Sequence, residues 1–523
     1  MHPVSNNIFI LSIKSMAKMT LTIDEMATFC KRKGFVYPNS EIYGGLKGFF
    51  DYGPLGVEMK NNLKADWWKT HVTQRDDVVG IDGSIITHPT VWVASGHVGS
   101  FADLMITCKE CKEKIRADHF LEDELKIAAD GIKAPEVNEL IKKNSLKCPN
   151  CKGDFQEVED FNLMFQTNVG PKKDAKSIAY LRPETAQLMF TNFRLVQENM
   201  RLKLPFGIAQ MGRAFRNEIS PRAFLFRCRE FEQMEIEYFI HPDEVDKCPW
   251  LKEVEDYKVR IYDACMQKDK TDSKKMSMKE ALDKKIIKTP WHAYWLATEL
   301  QWFEKLGANT DNFRIRQHID TEKSHYALDT WDLEYNFPFG WKELQGMANR
   351  TDFDLSQHIK HSKTDLSLYD EETKKKIVPY VVCEPSQGVD RAFLVFMFDA
   401  YTTRKDEKGS EVVVLKLHPK LAPFKVAVFP LVNKLKEQAK ELYDKLKIEL
   451  PTLYDRSGSI GRRYARADET GVPFCVTYDF DTEDDKSVTI RERDTGEQVR
   501  VKIDKLAQTL NGLVNGKLKF SNL

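Results

Sequence analysis

One segment constrains the fold of this chain more than any other, because polar and apolar side chains alternate along it. In residues 231–238, Gln233, Glu235 and Glu237 alternate with three apolar residues. A period of two is typical of a β-strand, whose successive side chains point to opposite faces of a sheet. The segment therefore predicts a strand with one apolar face, and the face that carries the carboxylates is either solvated or lines a polar site.

An arginine-rich hairpin is predicted to include the start of this strand. The sequences F-R-N-E at 215–218 and F-R-C-R-E-F at 226–231 flank a loop that contains Pro221 and Arg222. A hairpin would bring the arginines together, and their guanidinium groups suit phosphate oxygens, while Phe231 could stack on a base. The alternative is a charged surface hairpin, in which each ion pair contributes only about 0–1 kcal/mol.

A third polar block precedes an apolar helical pattern. The sequence E-P-S-Q-G-V-D-R at 384–391 leads into the pattern of 392–400. Proline and glycine predict a turn at the start of the helix, which could present a carboxylate, a hydroxyl and backbone groups to a small ligand. Taken alone, the block is also compatible with an ordinary helix start.

The composition favours a cytoplasmic enzyme with no membrane partner. The chain has 523 residues, enough for more than one domain, and its 79 basic and 79 acidic side chains balance. A neutral total argues against a protein that coats nucleic acid by charge alone, but it leaves room for a shaped, locally basic site for one folded RNA. No apolar run approaches the about 20 residues that a membrane-spanning helix needs.

Four of the ten cysteines form two C-x-x-C pairs, Cys108/Cys111 and Cys148/Cys151. Ten cysteines are too few for a disulfide scaffold in a chain of this length. Paired thiolates at this spacing suit a closed tetrahedral site, for which Zn²⁺ is the best candidate. We expect the lysine- and glutamate-rich segment between the pairs to be too polar to build its own core, so that a structural zinc would stabilise it. The alternative is four unligated cysteines.

The pattern along the chain divides it into a leader, a large first unit and a C-terminal unit. Residues 1–20 are predicted to be a disordered leader, with a transit segment or an early start codon as alternatives. Residues 242–310 are lysine-rich and mostly helical by pattern, and we interpret them as an insertion. A break near 418–420 opens an α/β unit, which is predicted to contain a strand at 425–429, a helix at 433–447 and a hairpin formed by 488–493 and 498–503.

Together, these blocks resemble the three motifs of class II aminoacyl-tRNA synthetases. Motif one is the helix and strand that end at Pro89, motif two is the arginine hairpin, and motif three is E-P-S-Q-G-V-D-R. Further sequences resemble the glycyl-tRNA synthetases in particular, and they are Y-G-P-L-G (52–56), A-S-G-H (94–97), R-A-D-H (116–119), R-P-E-T-A-Q (182–187) and W-K-E-L-Q-G (341–346). The likeness extends from about Met26 to the C-terminal hairpin, and it is to the homodimeric bacterial-type form.

Two positions depart from the usual class II pattern. Gly388 alone remains of the glycine-rich run that usually precedes the motif-three arginine, which is how the glycine-specific branch looks. Cys228 replaces the expected threonine between Arg227 and Arg229, and because its side chain is small we expect no change in chemistry.

The resemblance implies both a fold and a reaction. The fold would be α/β (α+β), with a class II antiparallel-sheet catalytic domain at 21–415 and a mixed-sheet anticodon-binding domain at 416–523. The catalytic domain would carry the cysteine-bearing insert at 105–155 and the insertion at 242–310. The enzyme would use ATP and Mg²⁺ to convert glycine to glycyl-adenylate, releasing pyrophosphate, and would then transfer the glycine to the 3′ end of tRNA(Gly). It would act as a homodimer.

The same resemblance implies roles for individual residues. The catalytic residues would be Arg216 on the α-phosphate and Arg391 on the γ-phosphate, whereas His97 and His119 are predicted to be structural. The residues implied for ATP are Arg216, Asn217, Glu218, Phe226, Arg227, Cys228, Arg229, Glu230, Phe231, Glu343, Leu344, Gly388, Val389, Asp390 and Arg391. The residues implied for glycine are Arg116, Glu184, Phe231, Glu232, Gln233, Met234, Glu235, Glu384, Pro385, Ser386, Gln387 and Gly388.

The chemistry of glycine agrees with this assignment. Glycine offers only an ammonium and a carboxylate, so its site needs carboxylates, an arginine and crowding near the α-carbon. Glu184, Glu235 and Glu384 would bind the ammonium, and Ser386 could reject a methyl group by clash. Two rival interpretations are a synthetase-like protein that grips RNA without catalysis and a class II enzyme for serine or proline. The complete motifs disfavour the first, and E-P-S-Q-G with R-P-E-T-A-Q disfavours the second.

Two further predictions concern partners. The adjacent Trp67 and Trp68 cannot both face one narrow core stripe, so part of the motif-one helix is predicted to lie in a two-fold dimer interface, or else to be buried on both sides within one subunit. In the C-terminal unit, three arginines between 462 and 466 beside Tyr464 suit unpaired RNA bases, by charge and by stacking.

Overall fold

The structure is a computed structural model, and it describes residues 21–523 apart from 128, 130, 131, 320, 321, 323–326 and 406–408. The predicted leader at 1–20 lies outside the described residues. Within the described part of the chain, no helix is both long enough and apolar enough to cross a bilayer.

The strands, in chain order, are β1 (Val36–Pro38), β2 (Phe50–Tyr52), β3 (Val78–Ile81), β4 (Ile86–Thr87), β5 (Ala102–Thr107), β6 (Lys114–Arg116), β7 (Glu159–Asn162), β8 (Gln166–Asn168), β9 (Ile178–Leu181), β10 (Phe206–Phe215), β11 (Glu230–Ile240), β12 (Lys258–Tyr262), β13 (Lys274–Ser277), β14 (Phe313–Gln317), β15 (Asp329–Phe337), β16 (Gly340–Asn349), β17 (Leu368–Asp370), β18 (Lys375–Ile377), β19 (Tyr380–Gly388), β20 (Tyr401–Lys405), β21 (Glu411–Leu415), β22 (Val426–Pro430), β23 (Thr452–Tyr454), β24 (Phe474–Tyr478), β25 (Ser487–Glu492) and β26 (Gln498–Lys502).

The α-helices are α1 (Ile23–Lys33), α2 (Pro54–Trp68), α3 (Pro89–Ala94), α4 (His97–Ser100), α5 (Ala117–Leu125), α6 (Ala134–Lys143), α7 (Ala186–Thr191), α8 (Phe193–Met200), α9 (Ala264–Asp269), α10 (Met278–Asp283), α11 (Pro290–Lys305), α12 (Phe353–Ser362), α13 (Val389–Ala400), α14 (Lys436–Glu449), α15 (Ile460–Glu469), α16 (Asp481–Asp485) and α17 (Ile503–Val514).

A nine-stranded sheet forms the centre of the first unit, in the order β13-β12-β14-β15-β16-β19-β11-β10-β3. Its neighbours are antiparallel except for two parallel pairs, β10 with β3 and β12 with β14. The strand predicted at 231–238 is β11, which pairs with β10 from Phe206↔Phe239 to Phe215↔Glu230. The motif-two hairpin therefore lies inside this sheet, beside its β3 edge, and the predicted α+β fold is confirmed.

The two faces of the nine-stranded sheet differ, and the difference positions the pocket. On one face, the large core that holds Met234, Ile236 and Tyr238 also contains residues of α2, α11 and α13. On the other face, α7, α8 and α12 pack against Phe239 and its neighbours. Because side chains alternate along β11, Gln233 lies on this second face.

The segment 242–310 is not the polar helical insertion that its lysines suggested. It contributes β12 and β13 to the nine-stranded sheet, and its longest helix, α11, buries Trp291, Trp295 and Trp302 in the large core. Thr289 caps α11 by accepting from the N–H of His292, and Pro290 occupies the first turn. The lysines lie on the outer surface of these elements, so composition concealed a segment that builds the core.

The cysteine-bearing insert has a core of its own, which corrects the expectation that it is too polar to form one. A three-stranded sheet, β6-β5-β7, packs with α5 and α6 around Ile106, Phe120, Leu121, Val137 and Phe155. The apolar residues are few and widely spaced in the sequence, so a local window does not reveal them. An isolated antiparallel β-bridge between the backbones of Cys108 and Phe155 joins the two ends of the insert.

The C-terminal unit is built on a mixed five-stranded sheet in the order β23-β22-β24-β25-β26. The strands β22, β23 and β24 are parallel, whereas β24, β25 and β26 are antiparallel. The helices α14 and α17 cover one face and α15 covers the other. The predicted strand, helix and hairpin of this unit are all present.

Candidate active site

A polar pocket opens on the second face of the nine-stranded sheet, where α7 and α12 no longer cover β11 and β19. Its lining residues come from the motif-two hairpin, from β11, β15, β16, β19 and the start of α13, and from the segments before α7 and after β14. They are Glu184, Arg216, Glu218, Leu225, Phe226, Arg227, Cys228, Phe231, Gln233, Glu235, His318, Thr330, Asp332, Glu343, Leu344, Gly346, Met347, Ala348, Glu384, Ser386, Gly388, Asp390 and Arg391.

One end of the pocket is formed by arginines and aromatic rings. The Arg216 guanidinium carbon lies 5.3 Å from the ring centre of Phe231 and 5.4 Å from that of Phe101, and its Nε donates to the carbonyl of Pro183 (3.1 Å). These contacts hold the side chain while leaving terminal guanidinium nitrogens available to a ligand.

Arg391 enters the same end from the first turn of α13. Its Nη1 donates to the carbonyl of Glu343 (2.8 Å) and lies 3.3 Å from the Glu343 carboxylate, and its guanidinium stacks on Phe226 at 4.5 Å. Arg227 lies beside it, with Nε donating to Glu218 at 2.7 Å. Three arginines therefore line one half-exposed wall, which we call the arginine end.

The opposite end of the pocket is formed by buried carboxylates and is called the carboxylate end. Arg350, at the end of β16, donates from Nη1 to Glu384 (2.8 Å) and from Nε to Asp354 (2.7 Å), and its Nη2 lies 3.9 Å from Glu184. Thr185 donates its hydroxyl to Glu235. One buried guanidinium thus fixes several carboxylates around a single point.

Protonation at the carboxylate end differs from group to group. Burial opposes ionisation of Glu184, but His97 and Arg350 hold its pKa well below its usual range. Burial, followed by the charge of Glu184, raises the pKa of Glu235. Burial raises the pKa of Glu384 to about 8, because Arg350 only partly offsets burial and the charges of the other two carboxylates.

Period two explains which predicted residues reach the pocket. On β11, Phe231, Gln233 and Glu235 line it, whereas Glu232 and Met234 point to the other face. Glu232 pairs there with Lys60 (3.1 Å) and Lys64. The continuous run 231–235 that resemblance assigned to glycine is therefore split by the pleat of the strand.

Motif three shows the same alternation, and it is a strand rather than the predicted turn. Residues 384–388 are the last five of β19, which lies between β11 and β16 and runs directly into α13. Glu384, Ser386 and Gly388 line the pocket, and Pro385 and Gln387 do not. The β11 pairing is interrupted opposite Pro385, where a missing N–H is tolerated.

Several other predicted residues lie outside the pocket. Asn217 and Val389 do not line it. Arg229 turns to the loop at 47–48, where Nη1 donates to the carbonyl of Lys47 (2.9 Å). Glu230 pairs with the exposed Arg213. Asp390 lines the pocket, but its carboxylate already accepts from Lys60 (3.1 Å), Tyr52 and the N–H of Glu232 (2.9 Å).

Arg116, predicted for glycine, is likewise absent from the lining. Its guanidinium binds Asp103 and Asp118, each at 2.7 Å. Asp103 in turn lies 3.8 Å from Arg227, so this carboxylate links Arg116 to the arginine end.

Sequence reasoning missed one wall of the pocket. This wall is formed by Leu225, His318, Thr330, Asp332, Gly346, Met347 and Ala348. It also missed Arg350 and the support that His97 gives to Glu184 at 3.3 Å. The available signal was the pair of strands at 329–337 and 340–349, whose register joins Asp332 to Gly346. The resemblance points only to the second strand, through W-K-E-L-Q-G.

The four paired cysteines come together in the insert. Their sulfurs all lie within 4.8 Å of one another, with Cys108 Sγ 3.4 Å from Cys151 Sγ and Cys111 Sγ 3.7 Å from Cys148 Sγ. All four are free thiols. A tetrahedral ion with metal–sulfur bonds of about 2.3 Å would place its ligands about 3.8 Å apart, so the geometry fits one zinc ion.

The arginines of α15 do not form one exposed group. Arg463 is buried and donates to the carbonyls of Pro430 and Gly458, the latter at 3.2 Å. Arg466 is exposed and bonded to Asp455, and Arg462 is exposed. Arg463 therefore cannot be part of an RNA-binding surface on this helix, because its side chain is buried and holds the helix to the sheet.

Comparison with known proteins agrees with this geometry. Residues 165–401 match the family model described as "tRNA synthetase class II core domain (G, H, P, S and T)". Residues 425–513 match the model described as "Anticodon binding domain".

Curated proteins named "Glycine--tRNA ligase" match nearly the whole chain. The protein from Caldanaerobacter subterraneus subsp. tengcongensis is 48% identical over 96% of this chain and 99% of its own length. The Geobacillus thermodenitrificans protein is 45% identical over 94% of this chain and 98% of its own length. The Bacillus thuringiensis subsp. konkukian protein is 43% identical over 95% and 100%, respectively.

Proposed function

Because this chain belongs to the glycine--tRNA ligase family of class II aminoacyl-tRNA synthetases, we propose that the pocket described above is the place of its reaction. The enzyme activates glycine with ATP to glycyl-adenylate and pyrophosphate, and it transfers the glycine to the 3′ end of tRNA(Gly). The observation that supports the location is that arginines and carboxylates face each other across one cavity.

The arginine end is proposed to bind ATP. Arg216 would contact the α-phosphate and Arg391 the γ-phosphate, because their charges are permanent and both side chains are already held by neighbours. Phe226 and Phe231 offer apolar surfaces for the adenine and ribose. The reaction needs no side-chain nucleophile, since the glycine carboxylate attacks the α-phosphorus. Catalysis then consists of positioning and of stabilising the charge that develops on the phosphate oxygens.

The carboxylate end is proposed to bind the glycine ammonium. Glu184, Glu235 and Glu384 converge there on one side of the pocket, and the ammonium offers three donors to them. Ser386 lies between these groups and is held by Gln233, whose Nε2 donates to its Oγ at 3.1 Å. A side chain on the α-carbon would meet this wall, which favours glycine over alanine.

Magnesium is proposed to join the ATP phosphates in this pocket. Asp332 and Glu343 are carboxylates on its β15–β16 wall, and oxygen ligands are the ones that Mg²⁺ prefers. The ion would neutralise part of the phosphate charge.

Pyrophosphate exchange across the set of amino acids tests the proposed reaction site and its specificity. We expect exchange with glycine and much less with alanine or serine. Equal exchange with alanine would contradict the glycine pocket. Tight tRNA binding without any exchange would instead support an RNA-binding protein without catalysis.

We also propose a structural zinc at Cys108, Cys111, Cys148 and Cys151. The four thiols are close enough for one tetrahedral ion, and such a closed site leaves no position for a substrate. Elemental analysis should find about one zinc per chain, and Cys148→Ser should release it, whereas Cys265→Ser, at an exposed and solitary thiol, should not. Metal-free protein with an ordered insert and full activity would refute this site.

The C-terminal unit is proposed to bind the anticodon of tRNA(Gly). Its match to an anticodon-binding family model supports this role, and Arg462 is an exposed cation on α15. Removing the residues after Pro419 should spare pyrophosphate exchange and cripple tRNA charging. Unchanged charging efficiency in a folded truncated protein would exclude the role.

A homodimer is proposed through the motif-one region. Trp67 is buried, whereas Trp68 lies over Gly80 beside a groove lined by Ile81, Ile85 and Met211. Such a partly exposed apolar surface suits a second copy of the chain. Light scattering should report a dimer at micromolar concentration, and a monomer alone would refute it.

The proposed compartment is the cytoplasm. All ten cysteines are free thiols, which suits a reducing compartment. Cell fractionation checks this proposal, and recovery of the protein in an organelle or outside the cell would contradict it.

A further inference from the structure

Glu237 lies behind the carboxylate end, and its environment is unusual for an ionisable group. It is on the same face of β11 as Gln233 and Glu235, and its exposure is 0%. Both carboxylate oxygens lack a hydrogen-bond partner among the residues that the structure describes. One of these oxygens lies within 4.8 Å of oxygens of both Glu235 and Glu384.

An ionised carboxylate in this place would be very unfavourable. Burying a charge without a bonded partner has a large free-energy cost, and such groups normally become neutral instead. Close carboxylates also disfavour each other's ionised form, as in pairs of acids that share one proton. Burial first, and then the charge of Glu384, raises the pKa of Glu237 well above its usual range.

The surrounding charges do not compensate a further anion. The titratable and charged groups that face Glu237 or its two carboxylate neighbours are Glu235 on β11, Glu384 and Cys383 on β19, Arg350 after β16, Asp354 on α12, Glu184 before α7 and Arg182 after β9. Residue 208, opposite Glu237 on β10, is an isoleucine. Arg350 is the cation that bonds to carboxylates of this group, and it already donates to Glu384 and Asp354 at 2.8 and 2.7 Å. Arg182 donates instead to the carbonyls of Arg213 and Gly83, at 2.7 and 2.8 Å.

The proton has a preferred position within this group. Glu384 accepts a charge-assisted hydrogen bond from Arg350, which favours its ionised form. Glu237 accepts no such bond. When the two carboxyl groups share one proton, the proton therefore resides on Glu237.

We propose that Glu237 is a positioning residue that carries this proton while the site is empty and releases it when the glycine ammonium binds. The inference rests on the proposed glycine site. The entering ammonium adds one positive charge beside Glu235 and Glu384, so the group then accommodates one more negative charge. The O–H bond of Glu237 breaks, the electron pair stays on its oxygen, and the proton leaves to solvent.

This exchange makes glycine binding depend on pH. Below the pKa of the coupled carboxyl pair, the ammonium must displace a proton, so KM for glycine should fall about tenfold for each unit of rising pH. Above that pKa the dependence should vanish. Because burial and the charge of Glu384 raise the pKa of Glu237 well above its usual range, the fall should extend through neutral pH and be visible between pH 6 and 8.

Calorimetry on the unmodified enzyme tests the release directly. Glycine is titrated into the full-length protein at pH 7 in two buffers of different ionisation enthalpy. The difference in heat should correspond to about one proton released per glycine bound. Equal heats in the two buffers would overturn the proposal, and this test needs no variant to fold.

The variant Glu237→Gln then locates the proton. The amide is neutral at every pH and has no such proton to release, so we expect proton release to be lost. KM for glycine should change less than about twofold between pH 6 and 8, with kcat at pH 8 within about threefold of the unmodified enzyme. Proton release and a pH slope that persist in this variant would place the proton elsewhere and overturn the assignment.

Glu299→Gln is the matched control. Glu299 is equally buried, but it lies on α11 on the opposite face of the sheet and pairs with His71 at 3.0 Å. Its substitution should leave the pH slope of KM unchanged. A slope lost in both variants would show a general effect of core substitution and overturn the proposal. Absence of glycine-dependent exchange in the unmodified enzyme would instead contradict the proposed function.

Discussion

The arginine end of the pocket is half-exposed and its charges are permanent, whereas the carboxylate end is buried and its charges depend on protons. Arg216 and Arg391 are held by carbonyl groups and aromatic rings. Glu384 is held by the buried Arg350 guanidinium and Glu235 by the Thr185 hydroxyl, while the charges of the two carboxylates oppose each other. The first arrangement suits a ligand whose charge is large and fixed, and the second suits a single ammonium.

The difference also concerns stability. Removing a ligand-facing arginine from a half-exposed wall leaves no buried charged group without a partner. Such a substitution should therefore lower activity without changing stability. Removing Arg350 leaves buried carboxylates without their cation, so it should affect the whole fold. Variants at each end test this comparison.

The largest effect is expected from Arg350→Gln. Glu384 and Asp354 would be left buried without their cation, and Glu184 would keep only His97. The free energy of unfolding should fall by about 3–5 kcal/mol at pH 7.5. Urea denaturation measures this change.

The pH dependence of that change has a definite sign. Against the effect of burial, His97 and then Arg350 depress the pKa of Glu184 in the folded state. Its contribution to stability is therefore present above its unfolded pKa and is lost as pH falls. The deficit of the variant should therefore shrink towards acid pH. Arg463→Gln, at a buried arginine bonded to carbonyls, is the control and should show no such trend.

The next effect is expected from Arg216→Ala. The guanidinium is proposed to stabilise charge that develops on the α-phosphate, and the loss of one such donor typically lowers kcat by about 10²–10³. Pyrophosphate exchange measures the rate, and thermal unfolding should show an unchanged fold. Near-normal turnover would mean that ATP does not bind at the arginine end.

A smaller effect is expected from Ser386→Gly. Removing the side chain would open space beside the proposed α-carbon position, so exchange with alanine relative to glycine should rise by about tenfold, at the low end of what one methyl group is worth in a pocket. The ratio of kcat/KM for alanine to kcat/KM for glycine measures this change in specificity. No change in the ratio would show that another group forms the wall.

The smallest effect is expected from Glu230→Ala. The sequence assigned this residue to ATP, but it pairs with the exposed Arg213 outside the pocket. An exposed ion pair contributes about 0–1 kcal/mol, and KM for ATP should change by less than about twofold. A large rise in KM would restore the residue to the nucleotide site.

Much of the fold was predictable because its signals are local. The alternation in 231–238, the arginine hairpin and the C-terminal strand–helix–hairpin pattern depend on neighbours in sequence. The prediction of a polar helical insertion at 242–310 was wrong because the lysines lie on the outer surface and dominate the composition. The tryptophans of α11, which fill the core, are few in the same segment. The core of the cysteine insert was missed for a similar reason, since its apolar residues are spread between 106 and 155.

The sequence by itself determined which chemical groups are present and their order: three motifs, two cysteine pairs and the glutamates of an ammonium site. Only the tertiary structure decided which of them meet. The pleat of β11 and β19 sends alternate residues to opposite faces, so it separates Gln233 and Glu235 from Glu232 and Met234. The packing of α12 on the sheet also lets Arg350 bind both Asp354 and Glu384, and Glu237 is isolated behind them. The burial of these carboxyl groups and the distances between them decide which group is protonated. Neither quantity can be read from a local stretch of sequence.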